Sequence, residues 1–529
     1  MTTQRLTAID ATFLNFESVR QPLHIGGLYI YQDQPEIAGR PGVRGLFKTV
    51  EDRLHLVPRY RQRIQEVPLA LGHPVWVDDP DFDLSYHLRR LALPSPGGMN
   101  ELLEVVARLH SRPLDRSRPL WEIYILEGLS EGRVAIYSKT HHAIVDGIAA
   151  VDLALIIHDF DPQGATVEPG EPFRPRGLRS TRELVGEVAR EAAGAALGAA
   201  GRLLQRPTQV PRELASWAIK ANRLRELFNM LRPVPSGPLN IKVGSGRRIE
   251  LASVSLARVK TIKNALGATV NDVALAAVGE AIHAFLVHRG EDVPDDLTYR
   301  IMVPVSVRND SDKAPGNQVS AMFINMPVGR MPARRRMQIV MHDMGGLKNN
   351  RQAAAAGQLV GLTSMAPASL HALAGHAALS SQRFINMVFS NVPGIQQPVY
   401  AGGSRLLEAY PLLPVVANLS VVICVASYNG GMYFAVVGDY AGFPDLNVIT
   451  KGIENGIESL ERAAGLRPPK RVARATARPV RRRHKGVHKG RQPSSAAASS
   501  LASVRDAARA AAASAAAEPR RPVGSRPLG

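Results

Sequence analysis

KTHHAIVDGIAAVDLALIIHDF, residues 139–160, is the stretch that decides the reading of this 529-residue chain. Immediately before it, Trp121–Leu129 and Arg133–Thr140 read as two strands joined by a turn at Ser130–Gly132. After it, Ile148, Val151 and Leu155 recur at helical spacing. The segment His141-His142-Ala143-Ile144-Val145-Asp146-Gly147 therefore lies where a strand ends and a helix begins. Side chains alternate along a strand, so His141 and His142 are expected on opposite faces. His142 shares the parity of Ile136 and Ser138.

Two histidines in this position suit proton transfer. A neutral imidazole, with an ordinary pKa of about 6.5, takes a proton near pH 7. Asp146 would hold the local geometry, by meeting the ring or by fixing the loop. Gly147 allows a backbone conformation or a close approach that a side chain would block. A plain turn explains the same residues, and on the residues alone the base and the turn stand level. A metal site has less support: neighbours that face apart do not readily share one ion, and no HExxH or cysteine pair accompanies them.

The rest of the chain organises around this motif. Its length implies more than one domain, and its 45% apolar content is that of a globular protein. The single cysteine, Cys424, excludes an internal disulfide framework and lies in the apolar run VVICVAS, where a buried thiol is expected. No run approaches 18 consecutive apolar residues, so no spanning helix is expected, and MTTQRLTAIDATFLNF has no apolar core of signal-peptide type. Residues 1–165 form a first domain, 166–240 a linker and helical connector, and 241–466 a second domain. In the first, LHIGGLYIY reads as a strand and LLEVVARLHSR as a helix. In the second, NDVALAAVGEAIHAFLVHR reads as a helix, and YRIMVPVSVR, SAMFINMPV, VVICVASY and MYFAVVGDY as strands. The last two flank a turn at Asn429–Gly430–Gly431.

Charge is concentrated at the end. Of the net +19, residues 467–529 carry +14 (16 basic, 2 acidic), which leaves +5 for residues 1–466. This tail is Ala-, Arg-, Pro- and Ser-rich with few large apolar residues. It is expected to be disordered, apart from a short Ala-rich helix around Leu501–Ala517. Anionic lipid, nucleic acid and simple solubilisation are all open as its role.

HHAIVDG matches the HHxxxDG motif of the CoA-dependent acyltransferase superfamily, and the surrounding chain resembles the bacterial wax ester synthase/diacylglycerol acyltransferase family. The resemblance is spread over about 1–466. It rests on LTAIDATFLNFES, PLHIGGL, PLDRSRPLWEIYILEGL, PLN at 238–240, NDVALAAV at 271–278, MVPVSVR at 302–308, GNQVS at 316–320 and SNVPG at 390–394. It implies an α/β (α+β) fold: two chloramphenicol-acetyltransferase-like domains with a tunnel between them, joined by the helical connector. It assigns the base to His142 and architectural support to Asp146, with His141 less clearly required. Asn271 corresponds to the Asn of the family's ND pair, with a polar or helix-capping role, and Arg308 is a partner for Asp146 by superfamily analogy.

The implied reaction is direct acyl transfer from acyl-CoA to a hydroxyl, without an acyl-enzyme. No GxSxG elbow, Walker A motif or Rossmann fingerprint is present, so no cofactor is expected and acyl-CoA is a co-substrate. Arg247 and Arg248 are candidates for its phosphates, with a solvated face as the plainer reading. The high Ala and Arg content resembles actinobacterial members and favours diacylglycerol as acceptor. A long-chain alcohol, giving wax esters, is the alternative, as is a condensation-type enzyme with a carrier-bound donor. Both lipid acceptors imply a cytoplasmic enzyme associated peripherally with the inner membrane face or lipid inclusions. The connector 181–231 reads as an interfacial surface or as packing against the body.

Overall fold

The computed structural model describes residues 4–144, 156–165, 167–205, 233–234, 237–306, 319–349 and 384–466. Asp146, Gly147, Arg308, the connector beyond Gln205 up to 232 and the whole tail 467–529 lie outside the described residues.

Fourteen strands are described: β1 (His24–Gln32), β2 (Gln62–Gln65), β3 (Val75–Asp78), β4 (Leu88–Ala92), β5 (Trp121–Leu129), β6 (Arg133–His141), β7 (Arg247–Ser255), β8 (Thr298–Ser306), β9 (Val319–Pro327), β10 (Met387–Val392), β11 (Tyr400–Ala401), β12 (Ser404–Leu412), β13 (Val421–Tyr428) and β14 (Gly431–Asp439). They form two six-stranded sheets, ordered β11-β12-β1-β6-β5-β4 and β7-β14-β13-β10-β8-β9, and a small β2–β3 ribbon. The helices are α1 (Ala8–Phe16), α2 (Leu46–Arg53), α3 (Leu84–His87), α4 (Met99–His110), α5 (Thr181–Gln205), α6 (Leu256–Leu266), α7 (Val270–His288), α8 (Ala333–Asn349) and α9 (Asn447–Ala463). This is the mixed α/β, two-sheet architecture expected. The linear division at 241–466 does not coincide with the sheets, however. Strands β11 and β12 cross over, and β12 pairs antiparallel with β1.

The strand read as VVICVASY shows why both its faces are apolar. Val421, Ile423 and Val425 pack toward α7 and α9, whereas Val422 and Cys424 join Leu28, Ile30, Tyr137 and Leu412 of the first sheet. A strand buried on both sides reads as a continuous apolar run rather than as an alternation. Strand β10 runs parallel to both β13 and β8. The β13–β14 turn places Asn429 and Gly430 at φ 42° and 83°, the left-handed region a tight hairpin requires.

Helix α7 is long and apolar enough to cross a bilayer by composition alone. It is instead a core helix: Val273, Ala277, Ile282 and Phe285 are fully buried. Helix α9 lies so close to it that a Cβ on Gly456 would stand 2.8 Å from the Ala277 carbonyl oxygen. Only glycine fits there. The connector begins as expected, with α5 starting at Thr181.

Candidate active site

Strand β6 carries the histidine pair to the sheet's end. Val134 and Ile136 pack with α1 and α2, while Ala135 and Tyr137 face the core between the two sheets. Continued along the strand, this alternation puts His142 on the side of Ile136 and His141 on the side of Tyr137. His141 is opposite His24 of β1. Its N–H donates to the Leu120 carbonyl (2.9 Å), and the His142 N–H donates to the Leu23 carbonyl (2.9 Å). The main chain at both histidines is thus fixed from neighbouring strands. Beyond it the chain turns, with the Ile144 N–H donating to the His141 carbonyl (3.0 Å), and Ala143 and Ile144 enter the core.

Helix α1 reaches both rings. Thr7 caps it, its Oγ1 accepting from the Asp10 N–H (3.2 Å), and Ala11 and Leu14 anchor it in the core. Phe13 then stacks on His142, with ring centroids 3.9 Å apart and planes 19° from parallel. Four residues on, Glu17 places Oε1 3.5 Å from His141 Nε2. The Ala143 N–H donates to His141 Nδ1 (3.0 Å), which assigns the ring proton to Nε2, on the side facing Glu17. Glu17 also accepts from the Leu23 N–H (3.0 Å) and from Arg116 Nη2 (3.0 Å). Burial pushes the Glu17 carboxyl pKa up, but His141, Leu23 and Arg116 outweigh it, and the value falls below the ordinary one.

His142 is half-buried. Its Nδ1 is buried with no hydrogen-bond partner among the described side chains and main chain of other residues. Desolvation lowers the ring's pKa to about 4; a main-chain hydrogen bond of its own opposes the fall, and His141 adds to it. The ring is therefore neutral at pH 7 and able to accept a proton, and its conjugate acid is a strong one. A buried polar layer backs the pair. Lys139, 1% exposed, meets Glu122 at 3.0 Å and donates to the Arg112 carbonyl (3.0 Å). His110 bonds Tyr137 through Nδ1 (2.8 Å) and packs edge-on to His24. Burial lowers the pKa of His24 well below 6.5 and that of His110 to about 3.

The other expected residues fall elsewhere. Asn271 does not cap α7. Thr269 does, its side chain accepting from the Asp272 N–H (3.2 Å) while Asp272 accepts from the Thr269 N–H (3.0 Å). Asn271 Oδ1 instead accepts from Asn391 of β10 (3.1 Å), which ties the ND segment to SNVPG. Arg247 is not on a solvated face. It is 3% exposed and donates to the carbonyls of Gly244, Gly246 and Arg20, so none of those donors is free for a phosphate. Arg248 lies over the Tyr440 ring, 4.6 Å from its centroid. Cys424 is fully buried, and burial pushes its thiol pKa far up, as a core residue. Glu17, Phe13 and Arg116 were missed by the sequence reading. Glu17 and Phe13 stand in LTAIDATFLNFES and Arg116 in PLDRSRPLWEIYILEGL, and no spacing rule joins either segment to His141.

The model of the wax ester synthase/diacylglycerol acyltransferase catalytic domain matches residues 6–274, and that of the family's C-terminal domain matches 315–461. A Mycobacterium tuberculosis protein provisionally named a diacylglycerol O-acyltransferase is 36% identical over 472 residues, covering 87% of this chain and 100% of the relative. A second, provisionally named diacylglycerol O-acyltransferase tgs2, is 34% identical over 86% of this chain and 98% of its own length. Among solved structures, the wax ester synthase/diacylglycerol acyltransferase of Marinobacter aquaeolei VT8 superposes with a TM-score of 0.64 at 27% identity, covering 88% of this chain and 100% of that one. The first condensation domain of the calcium-dependent antibiotic synthetase shares the fold at 18% identity and a TM-score of 0.52, covering 88% of this chain and 97% of that domain. The chain is an acyltransferase and belongs to the wax ester synthase/diacylglycerol acyltransferase family.

Proposed function

We propose that this acyltransferase moves a long-chain acyl group from acyl-CoA to the free hydroxyl of diacylglycerol, forming triacylglycerol, with His142 as general base. The observation that carries the reading is the ring's setting: half-buried at the end of β6 and stacked on Phe13. A neutral imidazole next to an acceptor hydroxyl removes its proton as the oxygen attacks the thioester carbonyl. The tetrahedral intermediate then collapses: the C–S bond breaks, the new ester forms, and the imidazolium returns its proton to the departing CoA thiolate. The proton leaves as part of the free thiol, so no acyl-enzyme and no cofactor are needed. His141 and Glu17 position the strand end rather than touch the reacting atoms. Architectural support from Asp146 is what the family resemblance assigns, and Asp146 lies outside the described residues.

The relatives' names support diacylglycerol as acceptor, and the name of the Marinobacter structure keeps a long-chain alcohol in view. Product analysis separates them. Palmitoyl-CoA labelled in the acyl group is offered with dioleoylglycerol or hexadecanol, and the products are resolved by thin-layer chromatography. Faster label transfer into triacylglycerol than into wax ester is expected. Transfer to hexadecanol alone would move the protein to wax ester synthesis, and label appearing in neither would reject the reading.

A further inference from the structure

We propose that the tip of the β2–β3 ribbon, with the start of α5 beside it, is the surface by which the enzyme docks on lipid. This rests on the reading above in one respect only, that the acceptor is dissolved in a lipid phase. The tip, residues 66–73, reads EVPLALGH. Leu69 is 89% exposed and Leu71 is 51% exposed, among the most exposed large apolar side chains described. Leu69 also holds φ at +56°, a left-handed conformation that a leucine adopts at a cost and that no packing of its side chain repays.

The tip is firmly held even though its leucines face outward. Arg5 donates to the His73 carbonyl (2.9 Å) and bridges to Glu191 of α5 (3.3 Å). A Cβ on Gly72 would stand 2.8 Å from Val188 of α5, so the tip and the helix touch. On the other side, Gln65 exchanges hydrogen bonds with the main chain of Arg179 (2.7 and 3.1 Å), which brings the half-exposed Leu178 to the base of the same ribbon. Three exposed leucines thus share one rim, on a rigid support.

Helix α5 continues from this rim. Its docked turns carry Arg182, Glu183, Glu187, Arg190 and Glu191, but residues 192–201, AAGAALGAAG, contain no charge. A Cβ on Gly194 would meet nothing within 4 Å, as on Gly186 in the docked turns. Around the tip Arg5 and Arg179 are paired with Glu187 and Glu191 of α5, which leaves the exposed leucines as the apolar feature of the rim. They match the apolar upper layer of a membrane or lipid inclusion.

The test uses the full-length protein and vesicles of phosphatidylcholine and phosphatidylglycerol carrying dioleoylglycerol. For the variant Leu69→Glu/Leu71→Glu, vesicle affinity is expected to fall about tenfold or more, because two apolar anchors become charged. The KM for vesicle-borne diacylglycerol should rise with it, while kcat/KM for dissolved hexanol stays at the wild-type value. Leu69→Ser/Leu71→Ser replaces it if the acidic pair fails to fold. Unchanged vesicle affinity in a folded variant would overturn the proposal. So would a wild-type dimer that the variant converts to monomer, since the rim would then be a protein interface. Vesicle binding by a wild type inactive on every acceptor would instead reject the acyl-transfer reading and leave the docking surface standing.

Discussion

The Glu17 carboxylate stands 3.5 Å from the His141 imidazole, and both groups are shut away from water, with 5% and 0% of their side chains exposed. One residue thus ties three pieces together: it faces His141, accepts the N–H of Leu23, and is held by Arg116, while the Leu23 carbonyl receives the N–H of His142. A buried carboxylate in this position faces the ring of one histidine and, through Leu23, braces the main chain of the other.

Glu17→Gln keeps the shape and removes the charge. A charge-assisted hydrogen bond contributes about 1.5–3 kcal/mol. If that loss is felt in the transition state, kcat falls roughly 10- to 100-fold with little change in KM. Steady-state kinetics on palmitoyl-CoA checks it, and an unaltered kcat would make Glu17 purely a packing residue.

Phe13→Ala removes the face against which His142 rests. A stacked aromatic contact contributes about 0.5–1.5 kcal/mol. The expected result is a several-fold lower kcat and an apparent pKa for His142 moved upward from about 4, because water reaches the ring. The pH dependence of kcat/KM reads both, and a wild-type acid limb near 6.5 would contradict the desolvated ring.

Acid should destabilise the fold. Burial lowers the pKa of His24, of His87 to about 4, of His110 to about 3 and of His142 to about 4. Below pH 6.5 the unfolded chain takes up protons that the folded chain refuses, so stability falls as pH drops toward 3–4. Thermal melts from pH 7.5 to 4.5 should show Tm declining below about pH 6.5; a Tm independent of pH would contradict the buried neutral rings.

Lys139→Met removes the buried ammonium that meets Glu122, which keeps Arg89 at 3.7 Å. Removing one member of such a pair costs about 3–5 kcal/mol, whereas replacing both by apolar residues is near neutral. Urea unfolding of Lys139→Met and of Lys139→Met/Glu122→Leu should show a large loss, then substantial recovery. Tyr124, which donates to Glu122 (2.8 Å), and Arg89, 3.7 Å from it, set how complete the recovery is.

Strands such as VVICVASY and RVAIYSKT were legible because they are buried on both faces and so carry continuous apolar runs. The site was expected at His141–Gly147 because HHAIVDG resembles the HHxxxDG motif, and of that segment residues 145–147 lie outside the described residues. What was not legible is long-range. Nothing in SRLLEAYPL says that it pairs with β1, about 380 residues away in sequence, rather than with its sequence neighbours. Asn271 was expected in a polar or helix-capping role; Thr269 followed three residues later by Asp272 forms the reciprocal capping box, and Asn271 accepts from Asn391 instead. Arg247 was read as solvated because arginine usually is; its burial depends on three main-chain carbonyls that converge only in the fold.

The central claim is that the neutral ring at position 142 takes the acceptor's proton. Thiol release from palmitoyl-CoA in the presence of dioleoylglycerol, compared at pH 7 for wild type, His141→Ala and His142→Ala, tests it most directly. Loss of a general base lowers the rate roughly 10²- to 10⁴-fold. That loss is expected for His142→Ala, in a protein whose melting temperature is otherwise intact, with a smaller loss for His141→Ala. A folded His142→Ala enzyme that releases CoA at the wild-type rate would contradict the account.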